Sequence, residues 1–406
     1  MDRTTETPAA GTTPPAGERP AGAPAIAPAA EAPSDAPVNL FGLDREAFAA
    51  WMAGLGEKPF RARQVMKWLY GKGVRDPALM TDVAASTRAR LAALATTELP
   101  RVDTDLVGRD GTRKWLFALP DGNRIETVYI PERGRGTLCV SSQVGCALDC
   151  SFCSTGRQGF NRNLAVAEIV GQLWLARALL ERSAEGGEPG AGRITNVVMM
   201  GMGEPLANYR ALVPALKVML DDDGFGLSKR RVTVSTSGMV PWMDRLTRDV
   251  DVALAVSLHA PNDRLRDELV PINRKYPIEE LMAACRRYAD GERAKHVMFE
   301  YVMLEGVNDN PAEARELADL IEGCGFTAKV NLIPFNPFPG VGYRRSSRGR
   351  IERFAEVLEA RRIITLKRTT RGDDIDAACG QLAGDITDLS RRELRFARPR
   401  FGERAS

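Results

Sequence analysis

From residue 38 onward the pattern of apolar and polar positions changes twice. "LDREAFAAWMAGLGEKPFRARQVMKWLYGKGV" carries apolar residues at helical spacing, broken between Gly54 and Pro59, which predicts a compact helical accessory module over 38–98. "KWLFALPDGNRIETVYIP" alternates apolar and polar positions around Asp121-Gly122, a hairpin pattern that predicts a β-hairpin connection over 99–132. After that, the apolar runs "TLCVSSQ", "ITNVVMM", "RVTVST", "VALAVSLH", "VMFEYVML" and "AKVNLIPF" alternate with helical stretches such as "AVAEIVGQLWLARALLER" and "PIEELMAACRRYA". Repeated βα units predict a parallel sheet. Six units are too few for a closed eight-stranded barrel, so an α/β fold with a partial, open (βα)6 barrel is expected over 133–385, in preference to a doubly wound sheet. Either architecture gathers ligands at the carboxyl ends of its strands.

Composition adds little to this plan except at the termini. The chain has 406 residues, 44% of them apolar, enough for one large and one smaller core. Residues 1–36 are mostly Ala, Pro, Thr, Gly and Glu, with no basic start followed by an apolar run. They resemble neither a signal peptide nor a membrane span and predict a disordered tail over 1–37 of a soluble, cytoplasmic protein. The net charge of +3 conceals basic bunches at Lys229 to Arg231, Tyr343 to Arg350, Arg361 to Arg371 and Arg391 to Arg404, the last forming a basic tail over 386–406. A solvated helix face accounts for any one bunch, whereas several in one half favour a polyanion such as RNA.

The seven cysteines are an odd number in a chain too long for a disulfide-framed miniprotein, which points to metal binding or catalysis in a reducing compartment. Four of them fall within "CVSSQVGCALDCSFCSTG", in and after the first core strand. Zinc sites take four ligands or paired sets, and the only two histidines, His259 and His296, are remote from this loop in sequence. Cys146, Cys150 and Cys153 suit instead an iron–sulfur cluster with one iron left open to a small molecule. "GMGEP", one βα unit later, offers glycines for close backbone approach and Glu204 as an acceptor for an ammonium.

With these motifs the chain resembles the radical S-adenosylmethionine (SAM) enzymes, whose C-x3-C-x2-C loop holds a [4Fe–4S] cluster chelated by SAM. It is most similar to the RlmN and Cfr branch, which methylates carbon in an RNA adenine. "CVSSQVGCALDCSFCSTG", "MMGMGEPLANY", "STSG", "AVSLHAPND", "INRKYP", "NLIPFNPFPG" and "ACGQL" follow that branch in order from about 100 to 385, and the helical module resembles its accessory domain. The resemblance implies Cys146, Cys150 and Cys153 as cluster ligands, and Gly203, Glu204, Ser235, Ser257, Leu258, His259 and Asn336 as the lining of the SAM site.

It further implies that Cys379 takes a methyl group from a first SAM. A radical made from a second SAM then removes hydrogen from that S-methyl, and the carbon adds to the ring. Cys139 frees the product by forming a disulfide with Cys379, and Glu126 matches the proposed proton acceptor. Gly-rich "FPGVGYRRSSRGR" is expected to close over RNA. The implied substrates are adenosine carbon 2 in the peptidyl-transferase region of 23S rRNA and in tRNA on the 3′ side of the anticodon. The implied protein is a monomer served by an electron donor such as flavodoxin. A Cfr-type carbon 8 methyltransferase stays open as an alternative, and a noncatalytic RNA-binding iron–sulfur protein is the reading from another class.

Overall fold

The computed structural model describes residues 36–187, 192–290 and 296–390. The tail expected over 1–37 lies outside them except for its last two residues, as does all but the start of the one expected over 386–406. The helical module comprises helices Arg45–Gly54, Phe60–Met66 and Ala85–Leu94, closed by the parallel pairing of Val38–Asn39 with Ala95–Thr96. Asp44 caps the first helix by accepting from the Ala47 N–H at 2.9 Å, and Phe48 and Met52, four apart, point together into the core. The break read at Gly54 to Pro59 is real. Gly56 takes a left-handed φ of 74°, and Pro59 starts the next helix.

Ten strands form one sheet. Seven run parallel, in the spatial order Arg135–Cys139, Asn196–Met199, Val232–Thr236, Ala253–Ser257, Val297–Met303, Ala328–Pro334 and Ile364–Lys367. The first six are the expected units; the seventh is a short edge strand. At the other edge the hairpin Arg113–Ala118 with Arg124–Glu132 joins the sheet directly and adds a further strand, Arg101–Val107. The two edge strands do not pair with each other, so the barrel is open. Alternation along the parallel strands separates two faces. Val197, Val234, Leu254, Phe299 and Leu332 are fully buried or within 1% of it, in the main hydrophobic core. Their neighbours Val198, Thr233, Ala255, Met298 and Asn331 line a space inside the barrel.

Candidate active site

At the carboxyl ends of the parallel strands lies a cavity of about 1000 Å³, its open mouth included. Most of the expected residues meet there. Cys146, Cys150 and Cys153 enter from the cysteine loop, Gly203 and Glu204 from the turn after Asn196–Met199, Ser235, Ser257 and His259 from two strand ends, and Cys379 from a segment far along the chain. Cys139, Glu126, Leu258 and Asn336 do not line it.

The cysteine loop is clamped at its base by Cys146 N–H donating to Gly159 C=O at 2.7 Å. It is anchored in the middle by Phe152, which inserts into a small second core with Leu265, Leu269, Val302 and Phe335. Burial raises all three thiol pKa values, that of Cys150 to about 12. Cys150 and Cys153 push Cys146 further up, so the three sulfurs lie close enough to disfavour one another's charge. Thiols that disfavour one another's charge gain from a cation that binds them as thiolates. Among the described residues no three His, Cys, Asp or Glu side chains converge on a single metal ion. Three thiols lining one cavity are a donor set that suits an iron–sulfur cluster.

Glu204 is buried, and both its oxygens are occupied. One accepts from Leu206 N–H at 3.1 Å and the other from Ser237 N–H at 2.8 Å. Burial pushes its pKa up to about 7, against these hydrogen bonds. The glycines of "GMGEP" serve the protein's own packing: a Cβ on Gly201 would stand 2.7 Å from Ser141, and one on Gly203, whose φ is 99°, 2.5 Å from Gln143. Gln143 joins the two motifs, its Oε1 accepting from Ala147 N–H at 3.1 Å and Glu204 N–H at 2.9 Å. His259 adopts a left-handed φ of 62° and accepts from Val302 N–H at its Nδ1, which leaves Nε2 as the protonated nitrogen. Burial, with Arg266 adding to it, lowers its pKa to about 3, so the ring is neutral. Leu258 is fully buried and contributes through its backbone: its N–H donates to Glu300 C=O at 3.1 Å.

The segment around Cys379 is fastened to the short helix Ser154–Gln158 that follows the cysteine loop. Ser154 N–H donates to Gly380 C=O at 2.9 Å, Thr155 Oγ1 to Leu382 C=O, and Gln158 Nε2 to the carbonyls of Ala383 and Gly384. Asn336 holds the same segment from the other side, donating to Cys379 C=O at 3.1 Å. Glu126 is buried outside the cavity. Its carboxylate pairs with Lys114 at 3.1 Å and accepts from Ala383 N–H at 3.1 Å, so it too touches the Cys379 segment. Cys139 ends the first parallel strand. Burial pushes its thiol up to about 12, with Cys379 adding to the rise and Arg368 opposing it. All seven cysteines are free thiols in this structure. In the Gly-rich loop, Tyr343 shares a 2.9 Å hydrogen bond with Ser151, and Arg157 donates to Gly340 C=O, so this loop rests on the cysteine loop.

Sequence reasoning missed several groups at the site. Glu300 and Arg368 line the cavity, and buried Arg266 ties the strand ends together by donating to Leu258, Ser257 and Ser237 carbonyls. Glu300 carried a signal, an acid inside the apolar run "VMFEYVML". Arg266 carried none.

An open partial barrel with three thiols at its carboxyl mouth is the arrangement of a radical SAM enzyme, and the radical SAM superfamily model matches residues 140–321. The model of the ribosomal RNA large subunit methyltransferase N-terminal domain, RlmN_N, matches 38–97. A radical SAM methyltransferase from Sphaerobacter thermophilus is 46% identical in sequence, with 85% of this chain and 99% of that one covered and a TM-score of 0.77. This protein therefore belongs to the radical SAM methyltransferases that carry an RlmN-type N-terminal domain. A domain of pyruvate-formate lyase-activating enzyme from Bacteroides vulgatus (16% identity, 43% and 99% covered, TM-score 0.33) and SuiB from Streptococcus suis bound to S-adenosylmethionine (14%, 60% and 55%, 0.40) are much more distant likenesses.

Proposed function

We propose that this enzyme methylates carbon 2 of adenosine in 23S rRNA and tRNA, with Cys379 carrying the incoming carbon. The observation that carries this reading is the fastening of the Cys379 segment onto the helix that ends the cysteine loop. A methyltransferase that moved its methyl group directly from SAM to substrate has no need of a thiol there. Adenine carbon 2 has no lone pair to attack a sulfonium methyl, so a carrier and a radical are required. When bound, SAM and a [4Fe–4S] cluster on Cys146, Cys150 and Cys153 supply the methyl group and the radical that activates it. Gly203, Glu204, Ser235, Ser257, Leu258 and His259 are the groups available to hold SAM. Neutral His259 offers an Nε2 donor, and Glu204 gains an incentive to ionise when an ammonium arrives.

Cys139 and Cys379 divide the sulfur chemistry. With its pKa pushed to about 12, Cys139 rests as a neutral thiol and does not compete with Cys379 for the methyl group. It acts later, on the Cys379 sulfur, as the carbon is released and the disulfide forms. Asn336 steadies the carrier segment through Cys379 C=O and is also kept among the SAM-site residues. Glu126 remains the candidate proton acceptor for the ring hydrogen, held beside that segment by the Ala383 N–H. No helix among the described residues is long and apolar enough to cross a membrane. A monomer in a reducing cytoplasm, fed by a flavodoxin-like donor, completes the proposal.

The test is mass spectrometry of nucleosides from RNA treated with the reconstituted enzyme. 2-Methyladenosine is expected; 8-methyladenosine alone would establish the Cfr-type alternative, and no modified adenosine would sink both. A Cys139→Ala protein should stall as a covalent RNA adduct that survives denaturation and maps to Cys379.

A further inference from the structure

The barrel has a second cavity, at the amino ends of its strands. Met200, Glu300 and Arg368 line both spaces and form the floor of the upper one and the ceiling of the lower. The lower space measures about 2390 Å³ with its open mouth, more than twice the upper. Small side chains widen it, among them Thr137, Thr233, Ala253 and Ala255. Seven Lys or Arg side chains face it against three carboxylates. Exposed Arg230 and half-buried Lys329 have no ion-pair partner among the described residues. A concave wall with such an excess of fixed cations concentrates positive potential and attracts a polyanion.

Protein segments border the upper mouth and narrow it without closing it. The Cys379 segment, the cysteine loop and the loop holding Gly340 and Tyr343 are hydrogen-bonded to one another there. We propose that RNA reaches Cys379 from below: its phosphates sit on Arg230 and Lys329 at the amino-terminal mouth, and one nucleotide extends up the barrel, past Lys367 at the far end of the edge strand. This rests on the RNA methyltransferase reading above.

The strand Arg135–Cys139 measures the climb. Arg135 lies at the rim and Cys139 four residues higher, about 13 Å at roughly 3.3 Å per residue. A base still stacked in a helix cannot make that climb, so the site takes an unpaired nucleotide swung out of its strand. That base arrives at the level where Cys139, Arg368 and Cys379 interact, with the SAM cavity on its far side. The two reactants thus approach the carrier thiol from opposite ends of one barrel.

The proposal is tested with the full-length, cluster-loaded enzyme carrying Arg230→Glu and Lys329→Glu together. Its KM for an RNA transcript should rise at least tenfold, and the salt dependence of RNA binding should flatten by roughly 1.5 in log–log slope, two phosphate contacts having been lost. Arg182→Glu, on the outer helix Val166–Glu185, should leave KM unchanged. Methyl content at Cys379, measured without RNA, reports whether the double variant is folded and binds SAM. As a measurement independent of that variant, wild-type enzyme is photocrosslinked to RNA with 4-thiouridine beside the target adenosine, and the crosslinks should map to the lower rim. An unchanged KM in a methyl-loaded double variant, or crosslinks confined to the loop around Gly340 and Tyr343, overturns the lower route and leaves the methyltransferase reading intact. Wild-type enzyme that methylates no RNA defeats that reading first.

Discussion

Arg266 is fully buried yet stays charged, because burial lowers its pKa only to about 10. Its guanidinium spends its donors on Asn273 and on the carbonyls at two strand ends, so removing it leaves several buried acceptors unpaired. Arg266→Ala should destabilise the protein by about 3–5 kcal/mol, read as a lower denaturation midpoint, and a loss under 1 kcal/mol would refute the bracing role. The cysteines were legible for the opposite reason. A spacing of C-x3-C-x2-C is a demand made by a ligand, whereas an arginine within "DRLRDEL" reads as one more solvated charge. Cys146→Ala should abolish the visible charge-transfer absorption of the reconstituted enzyme together with SAM cleavage. If it keeps both, the ligand assignment fails.

At the scale of elements, the clasp between Ser154–Gln158 and the Cys379 segment separates two functions that share a cavity. Gln158→Ala removes two hydrogen bonds to that segment without touching a thiol. Methyl loading of Cys379 should fall several-fold while cluster absorbance is retained; equal loss of both would mean that the clasp supports the cysteine loop itself. The first six parallel strands were readable because each is a short apolar run. Arg101–Val107 was not, because an edge strand exposed on nearly every residue, "RVDTDLV", has no buried face to leave a pattern. Ile364–Lys367 escaped for the same reason: its residues are exposed or half-buried. Nor did sequence place Glu126, Asn336 and Leu258 outside the cavity, since a residue at a strand end looks alike whether it faces ligand or loop.

At the scale of the whole molecule, the helical module is held to the barrel by charge as well as by apolar packing. Arg45 pairs with Asp221 and Asp223, and Arg63 with Asp223 at 2.7 Å. Burial acts to raise the Asp221 pKa, but hydrogen bonds from Arg45 and from the backbone outweigh it and hold the carboxylate below its ordinary value near 3.9. Such a group stabilises the folded state above its unfolded pKa, and the contribution disappears as pH falls through the lower folded value. Amide exchange in the helices of the module should therefore accelerate relative to the barrel strands on going from pH 5 to pH 3. Exchange that is uniform across both would show that the ion pairs add nothing to docking.

The fastening of Thr155 to Leu382 spans 227 positions of sequence. A ribosome building this chain from its amino end completes Cys146, Cys150 and Cys153 long before it reaches Cys379. Until Gly380 to Gly384 are made, the helix Ser154–Gln158 lacks the carbonyls that its side chains and backbone bind in the finished structure. The order of translation thus separates in time two parts of a cavity that the fold brings together.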